Sequence, residues 1–231
     1  MCTNYEPFLD ARFAAAFGVD LPTTAFKSET YPGYASPVVR NIVRKNETAP
    51  SGRECIPARF GLLPYWAKPG DVEQPRLKFA THNARVETVG RLPSFKHAWN
   101  NRHFCLIPVQ AFYEPCWETG KAVRWKLWLA SDLPFALAGI WERWQRDDKL
   151  VESFTMLTVN ADDHPIMKRM HRPGDEKRMP VILHGQDHDR WLNAMTEEAF
   201  RMCQTYPAEL MQAEAAPKAN RKGLSQSGNF Q

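Results

Sequence analysis

Short apolar and β-branched stretches, separated by polar or Pro/Gly-rich segments, run through most of the chain. In Val123–Leu129 the side chains of Trp125, Leu127 and Leu129 fall on one face, which is typical of a half-buried strand. About seven or eight strands are predicted in this way, and the others are Val38–Val43, Phe60–Leu63, the extended segment Phe79–Asn83, Phe104–Val109 with Ala111–Tyr113, Phe135–Trp141, Phe154–Val159 and Met179–Leu183.

Short helices are predicted between these strands. Leu9–Phe17 is apolar on a helical period, and Gly18 supplies a stop signal. Further helices are predicted at Ala84–Val89, Ser94–Asn100, Asp163–Met170, Asp189–Met195 and Glu197–Cys203. Strands and short helices are mixed irregularly, without the alternation of a doubly wound fold. The pattern therefore predicts an α+β fold with a mainly antiparallel sheet.

Composition narrows the class of protein. With 231 residues, 43% of them hydrophobic, the chain can form one well-packed core. We expect a single domain at residues 1–214 and a polar, flexible tail at 215–231. No apolar run approaches the roughly 18 residues that span a bilayer, and no secretory signal is visible, so no membrane partner is expected. The net charge of +4 permits a nucleic-acid partner.

The cysteines and histidines offer no obvious metal site. An odd count of five widely spaced cysteines, with no C-x-x-C, argues against a disulfide framework or a cysteine-rich zinc site. It favours a reducing, cytoplasmic compartment. His184 and His188 have an i,i+4 spacing, but Gly185 disfavours a continuous helix between them. No metal and no cofactor are therefore predicted.

Cys2 is a candidate nucleophile because of its position. If Met1 is removed, Cys2 carries a free α-amine, with a reference pKa of about 7.7–8.0, next to a thiol of about 8.5. Such a 1,2-aminothiol can attack an aldehyde with its nitrogen and then close a five-membered thiazolidine ring with its sulfur. A cysteine inside the chain cannot do this. An ordinary second-residue cysteine without a role is the alternative.

Two residues are candidates for proton transfer. Glu114 follows two aromatic residues on a predicted strand, so partial burial and a raised pKa are expected. His171 lies in a basic loop whose turn is made by Pro173 and Gly174, and a histidine near its reference pKa can shuttle protons. The alternatives are a solvent-facing glutamate at the edge of a strand and a histidine in a solvated basic loop.

Asn83 and Arg85 lie where a predicted strand meets a predicted helix. Asn83 can cap that helix, and Arg85 can pair with Glu87 or with a phosphate group. Taken alone, neither residue identifies a function.

Six blocks of sequence, in order, carry a resemblance to a known family. The segment Asn83–Thr88 reads Asn-Ala-Arg-Val-Glu-Thr, which matches the Asn-Ala-Arg-x-Glu-Thr motif of the SRAP (SOS response-associated peptidase) family in full. The remaining blocks, which are also similar to that family, are Met1-Cys2 as its opening, Phe60–Ala67, Arg102–Glu114, Ala138–Glu142, and His171 with Arg178–Leu183. Members of this family cover abasic sites in single-stranded DNA by covalent attachment.

The resemblance implies a fold, a partner and a set of roles. The fold is a barrel-like, mainly antiparallel sheet with short surrounding helices, and the partner is single-stranded DNA that contains abasic sites, with no obligate protein partner. Cys2 would form the thiazolidine crosslink after removal of Met1, and Asn83 would position it. Glu114 would move protons, and His171 would protonate the sugar ring oxygen. The implied DNA contacts are Arg85, Arg178 and Trp66.

The chain departs from the family pattern at its start, where Thr3-Asn4 replaces a usual Gly-Arg pair, so one phosphate contact is expected to be missing there. Two other functions stay open. The family name suggests an N-terminal-nucleophile peptidase in which Cys2 removes Met1 or a short leader. A noncatalytic nucleic-acid-binding module is the third possibility. In the leading interpretation the protein works in the cytoplasm, associated with the nucleoid when bound to DNA.

Overall fold

The computed structural model describes residues 2–42, 50–72, 80–131 and 133–218. Its longest strand, β5, covers Phe104–Cys116 and is buried along nearly its whole length. The other long strands are β2 (Ala35–Ile42), β3 (Gly52–Phe60), β7 (Phe135–Arg146) and β8 (Lys149–Asn160).

These five strands close on themselves. The order of hydrogen-bonded neighbours is β5, β7, β8, β3, β2 and again β5. All of these pairs are antiparallel except β3 with β8. Closure buries the inward-facing side chains, among them Val39, Leu106 and Met156, in one core.

Six shorter strands extend the barrel wall: β1 (Asn4–Pro7), β4 (Asn83–Arg85), β6 (Val123–Leu129), β9 (Arg178–Pro180), β10 (Ile182–Leu183) and β11 (Met211–Ala215). Strands β1 and β6 both pair with β5, and β11 pairs with β6. Strands β4 and β9 pair with β8, and β10 pairs with β7.

The helices are short: α1 (Phe13–Phe17), α2 (Pro69–Val72), α3 (Lys96–Asn100), α4 (His188–Asn193) and α5 (Thr196–Met202), with single 3₁₀ turns at Met167–Arg169, Gly185–Asp187 and Ala208–Leu210. They lie outside the sheet; for example, Trp191 of α4 donates its indole N–H to the carbonyl of Cys105. The α+β class with a barrel-like, mainly antiparallel sheet in a single domain is thereby confirmed. Within the described residues no helix has the length and apolarity that crossing a membrane would need.

Several predicted element types or boundaries were wrong. Ala84–Val89 is not a helix, because the backbone of Asn83–Arg85 pairs in parallel with β8 as strand β4 and is followed by turns. Asn83 therefore caps no helix. The strand predicted at Phe60–Leu63 ends at Phe60, because Gly61 adopts a φ of 110°. The segment Asp163–Met170 contains only one 3₁₀ turn.

Other differences concern coverage. The edge strands β1 and β11 carry too little apolar periodicity to be predicted, and β11 extends to Ala215, the first residue of the predicted tail. The ends of two predicted strands, Val43 and Phe79, lie outside the described residues, and so do residues 219–231 of the tail.

Candidate active site

Strand pairing holds Cys2 in the core. Asn4 of β1 pairs with Tyr113 of β5, so the residue two positions earlier reaches the end of β5. Only 1% of Cys2 is exposed. Its Sγ donates to the carbonyl oxygens of Asn4, at 3.5 Å, and Tyr113, at 4.0 Å. A cysteine near the start of the chain is thus a fixed, buried group.

Asn83 anchors the main chain of Cys2. From its place on β4, Asn83 donates its Nδ2–H to the carbonyl oxygen of Cys2 at 2.7 Å. Within the described part of the chain, its Oδ1 is buried and has no hydrogen-bond partner. A buried amide oxygen of this kind is costly unless a further donor binds it. This atom is available to accept a hydrogen bond from a bound molecule.

Glu114 lies on β5 and is 1% exposed. Burial raises the pKa of its carboxyl group to about 7, although a hydrogen bond with the Cys2 thiol acts in the opposite direction. Burial, together with the negative charge of Glu114, also raises the pKa of the Cys2 thiol. At neutral pH the thiol is therefore protonated, and the carboxyl group is poised to gain or lose a proton.

His171 completes the group from the opposite loop. Its Nε2 lies 3.6 Å from Oε2 of Glu114, and its backbone N–H donates to the carbonyl of Pro115 at 2.7 Å. The backbone of His171 has a φ of 60°, which is uncommon for a residue other than glycine. Nζ of Lys177 donates to the His171 carbonyl oxygen at 3.3 Å. Burial lowers the pKa of His171 to about 4, so its imidazole is neutral at pH 7.

The fold thus brings together the four residues singled out for chemistry, from four separate parts of the chain: Cys2, Asn83, Glu114 and His171. Their arrangement combines a nucleophile, an anchor and two proton-transfer groups in an environment nearly closed to water. Such a site suits a reaction that forms a covalent bond at residue 2.

The two candidate DNA-binding arginines differ in accessibility. The Arg85 side chain is 48% exposed and pairs with Glu176 at 2.6 Å. The Arg178 side chain is 2% exposed, and its guanidinium group pairs with both Glu87 and Glu176 at 2.8 Å. Arg85 can reach a phosphate group by breaking one ion pair, with Glu176. Arg178 would have to break two, with Glu87 and Glu176.

Trp66 lies on the loop after β3 and is partly exposed, with its indole N–H donating to the carbonyl of Pro93 at 3.1 Å. The same loop runs beside the segment that leads into β4, since the N–H of Leu62 donates to the carbonyl of Thr81. Pro93 lies between β4 and α3, so this hydrogen bond connects Trp66 with neither Cys2, Glu114 nor His171.

Arg124 is a neighbour of the site that the sequence pattern did not single out. Its guanidinium group donates to Oδ1 of Asn4 at 2.7 Å, pairs with Glu29 at 3.0 Å and lies 3.3 Å from the ring centre of Tyr113. Arg124 lies in the predicted strand Val123–Leu129, where its position indicated only a basic residue facing outward. The pairing of β6 with β5 brings it next to Asn4.

A comparison with protein families settles the relationship. The family model described as SOS response associated peptidase (SRAP) matches residues 1–220. The chain belongs to the SRAP family. The match covers the whole barrel and every residue of the candidate site.

The named relatives of this SRAP protein are abasic site processing proteins. YoaM of Bacillus subtilis is 30% identical over 171 residues, which are 72% of this chain and 68% of that protein. The HMCES protein of Mus musculus is 27% identical over 203 residues, which are 74% of this chain but only 55% of the mouse protein.

Solved structures support the fold. A protein from Bordetella bronchiseptica superimposes with a TM-score of 0.84 and 32% identity, covering 94% of this chain and all of the other. A protein from Bacteroides thetaiotaomicron gives a TM-score of 0.74 at 21% identity, over 93% of this chain and 91% of the other. The second likeness bears on the fold alone.

Proposed function

We propose that this SRAP protein captures abasic sites in single-stranded DNA by forming a thiazolidine crosslink through Cys2 after Met1 is removed. One observation carries the proposal: Asn83 holds the carbonyl of Cys2 at 2.7 Å while the Cys2 thiol contacts the buried carboxyl group of Glu114. The named relatives, which are abasic site processing proteins, supply the substrate class. The covalent link would shield the lesion during the DNA damage response.

The chemistry balances without a cofactor. An abasic deoxyribose in its open form presents an aldehyde, and the α-amine of Cys2 adds to it and loses one water to give an imine. The thiol then adds across the C=N bond, so sulfur bonds to carbon and the S–H proton ends on nitrogen. The product is a thiazolidine and one water, and no oxidant or reductant is needed.

Glu114 is suited to these proton transfers because burial brings its pKa to about 7. A group with a pKa near the working pH can both deliver and accept a proton efficiently. It would protonate the leaving hydroxyl during imine formation and take the thiol proton during ring closure. Because it already contacts the thiol, no rearrangement is needed for the second step.

His171 would act on the sugar ring oxygen to favour the open aldehyde and would assist reversal. Its imidazole is neutral in the free protein, so it would act first as an N–H hydrogen-bond donor. Phosphate groups flanking the lesion would stabilise the imidazolium form and raise its pKa. Asn83 Oδ1 would accept a hydrogen bond from a sugar hydroxyl or from the Cys2 amine. In the described part of the chain this buried oxygen has no protein partner.

Contacts with the DNA backbone would come from cations around the site that reach solvent at least in part. Arg85 is the strongest candidate because it is half exposed, and Arg124 is an additional one because it lies beside Asn4, where one phosphate contact is expected to be missing. Arg178 would contact phosphate only if DNA displaced both Glu87 and Glu176, and Trp66 would stack beside the lesion. Bound to DNA in this way, the protein would be associated with the nucleoid.

A second candidate activity is autopeptidase cleavage ahead of Cys2, which the family description favours. A cysteine peptidase attacks with the thiolate, whereas burial and the charge of Glu114 raise the pKa of the Cys2 thiol. This environment favours reaction led by the amine. Removal of Met1 by any route would create that amine, so the two activities are compatible.

The test is a denaturing gel with a labelled single-stranded oligonucleotide that contains one abasic site. Wild type should give a shifted band that survives heat and denaturant. Cys2→Ala should give none, and Cys2→Ser should give a weaker and more labile one, because a hydroxyl closes a less stable ring. Cys55→Ala is the matched control, since Cys55 lies on β3 outside the site, and it should behave as wild type. A heat-stable band from Cys2→Ala would contradict the proposal.

A further inference from the structure

A second cluster of histidine and glutamate lies outside the Cys2 site. It joins His97 of α3, His103 just before β5 and Glu142 of β7. One donor atom from each lies within 4.8 Å of the others, and in the described part of the chain this is the sole group of three metal-ligating side chains so arranged. The Nδ1 atoms of His97 and His103 lie 2.6 Å and 3.6 Å from the two carboxylate oxygens of Glu142.

The three side chains are held in place before any ligand arrives. The Glu142 side chain is 4% exposed, and its Oε1 accepts a hydrogen bond from the backbone N–H of Arg143 at 3.2 Å. The ring of Tyr65 packs on His97 with centroids 4.4 Å apart, and Trp141 stacks on His103 at 4.5 Å. Because the rings and the carboxylate are already held in place, less conformational entropy is lost when a ligand binds them.

The donor set matches the chemistry of one class of ion. At 3.6 Å from Glu142, Nδ1 of His103 is too far for a hydrogen bond, and it is buried with no other partner within the described ranges. Two imidazole nitrogens and a carboxylate oxygen are ligands that zinc and similar divalent transition metals prefer. We propose that His97, His103 and Glu142 form a binding site for a divalent transition-metal ion of the zinc class.

The ion would be bound by three protein ligands, and water would take a fourth position. His103 and Trp141 line a cavity of about 930 Å³, which gives solvent and a hydrated ion a route to the cluster. The ion would tie α3 and the start of β5, which are close in sequence, to the more distant β7. The neighbouring Tyr65 belongs to the same loop as Trp66, so the ion would also stiffen this loop.

Two measurements test the site on the full-length protein after treatment with a chelator. Zinc is titrated in competition with a chromophoric chelator at pH 7.5, and cobalt(II) is added separately to record its visible absorption. Wild type should bind one equivalent of zinc, and its cobalt form should absorb with the intensity of a four-coordinate site. It should show no thiolate-to-cobalt charge-transfer band, which excludes the five cysteines as ligands. Melting temperature should rise by about 5–10 °C at a hundredfold excess of zinc over Kd.

The variants locate the ligands. His97→Ala and His103→Ala should each weaken zinc binding by about 100-fold or more, and both lie at partly exposed positions where the fold tolerates truncation. Glu142→Gln should do the same. His184→Ala removes an exposed histidine outside the cluster and should bind as wild type. Lowering the pH to 5.5 should weaken binding, because protons compete for the imidazole nitrogens.

Three results would overturn the proposal. The first is that chelator-treated wild type fails to bind one equivalent of zinc. The second is that His97→Ala and His103→Ala bind zinc with the same affinity as wild type. The third is a cobalt spectrum with a thiolate charge-transfer band. The first would leave a cluster of two histidines around a glutamate with no metal function. Each result is independent of DNA binding.

Discussion

Two buried glutamates of this barrel, Glu114 and Glu142, both face histidine, but their carboxyl pKa values are shifted in opposite directions. Each lies almost fully buried on a long strand and faces histidine. Burial raises the pKa of Glu114 to about 7. Burial also acts to raise the pKa of Glu142, but the imidazoles of His103 and His97 outweigh it, and the pKa ends below the usual range.

The difference lies in how closely donors approach. Glu142 receives His97 at 2.6 Å and a backbone N–H at 3.2 Å, whereas His171 stays 3.6 Å from Glu114. Donors at hydrogen-bond distance stabilise a carboxylate, whereas at Glu114 the hydrogen bond comes from a thiol, which is a weak donor, and desolvation dominates. One barrel thus holds a fixed anion that organises structure and a second carboxyl group that exchanges its proton near neutral pH. The second is the one in contact with Cys2.

The largest expected effect concerns the rate of crosslinking. Glu114→Gln keeps the shape of the side chain but cannot exchange a proton, so adduct formation should slow by about 10²–10⁴-fold. The noncovalent affinity for single-stranded DNA without an abasic site should change little. Single-turnover adduct formation and fluorescence anisotropy measure the two quantities separately.

Glu118→Gln is the control for this experiment, because it changes a half-exposed carboxylate that pairs with Arg169 on the surface. It should form adduct at the wild-type rate. Equal losses of rate and affinity in Glu114→Gln would instead assign Glu114 a purely structural role.

A smaller effect, of opposite sign at the two glutamates, is expected in stability. The folded-state pKa of Glu114 is raised, so the stability it contributes is present below its ordinary pKa and is lost as pH rises toward 7. Glu114→Gln does not lose this stability. Its unfolding free energy should therefore rise relative to that of wild type by about 2–3 kcal/mol between pH 5 and pH 8.

Glu142→Gln should instead lower stability at pH 7 by about 2–3 kcal/mol, since it removes a buried carboxylate that accepts charge-assisted hydrogen bonds. Urea unfolding of both variants at several pH values, after chelator treatment, gives both numbers. A Glu114→Gln advantage that is constant with pH would show that Glu114 has an ordinary pKa.

How far the sequence predicts this structure depends on whether the signal is local. The alternation in Val123–Leu129 predicts β6 with its observed bounds, because one face of that strand is buried. Asn83–Arg85 was misjudged as leading into a helix because its pairing partner, β8, lies about seventy residues away. The four-residue β1 was missed for the same reason, since only pairing with β5 makes it a strand.

The site shows the same division. Cys2, Asn83, Glu114 and His171 could be named from a motif pattern, and the structure brings them together. Neither the enclosure of Arg178 by Glu87 and Glu176 nor the position of Arg124 beside Asn4 was predicted. Both facts follow from strand register, which no local pattern encodes.

The smallest expected effect is on the salt dependence of DNA binding. Arg85→Ala removes one exposed cation, so the slope of log affinity against log salt should fall by about 0.7 for single-stranded DNA. Arg178→Ala should match that change only if DNA displaces Glu87 and Glu176. Arg190→Ala, an exposed arginine paired with Glu198 on α5, is the control and should leave the slope unchanged. An unchanged slope in Arg85→Ala would remove Arg85 from the DNA contacts.

The central claim is that the α-amine of Cys2 attacks the lesion, and intact-mass spectrometry of a chain with one retained residue ahead of Cys2 tests it most directly. In that chain the nitrogen is an amide whose lone pair is delocalised, so it cannot attack an aldehyde. A thiol alone gives only a labile hemithioacetal. The mass must first prove that the extension is still present, because self-trimming would remove it. We expect the extended species to form no denaturation-resistant adduct, while the species that begins at Cys2 gains the mass of the oligonucleotide minus one water. An extended species that forms the resistant adduct at the normal rate would contradict the aminothiol mechanism.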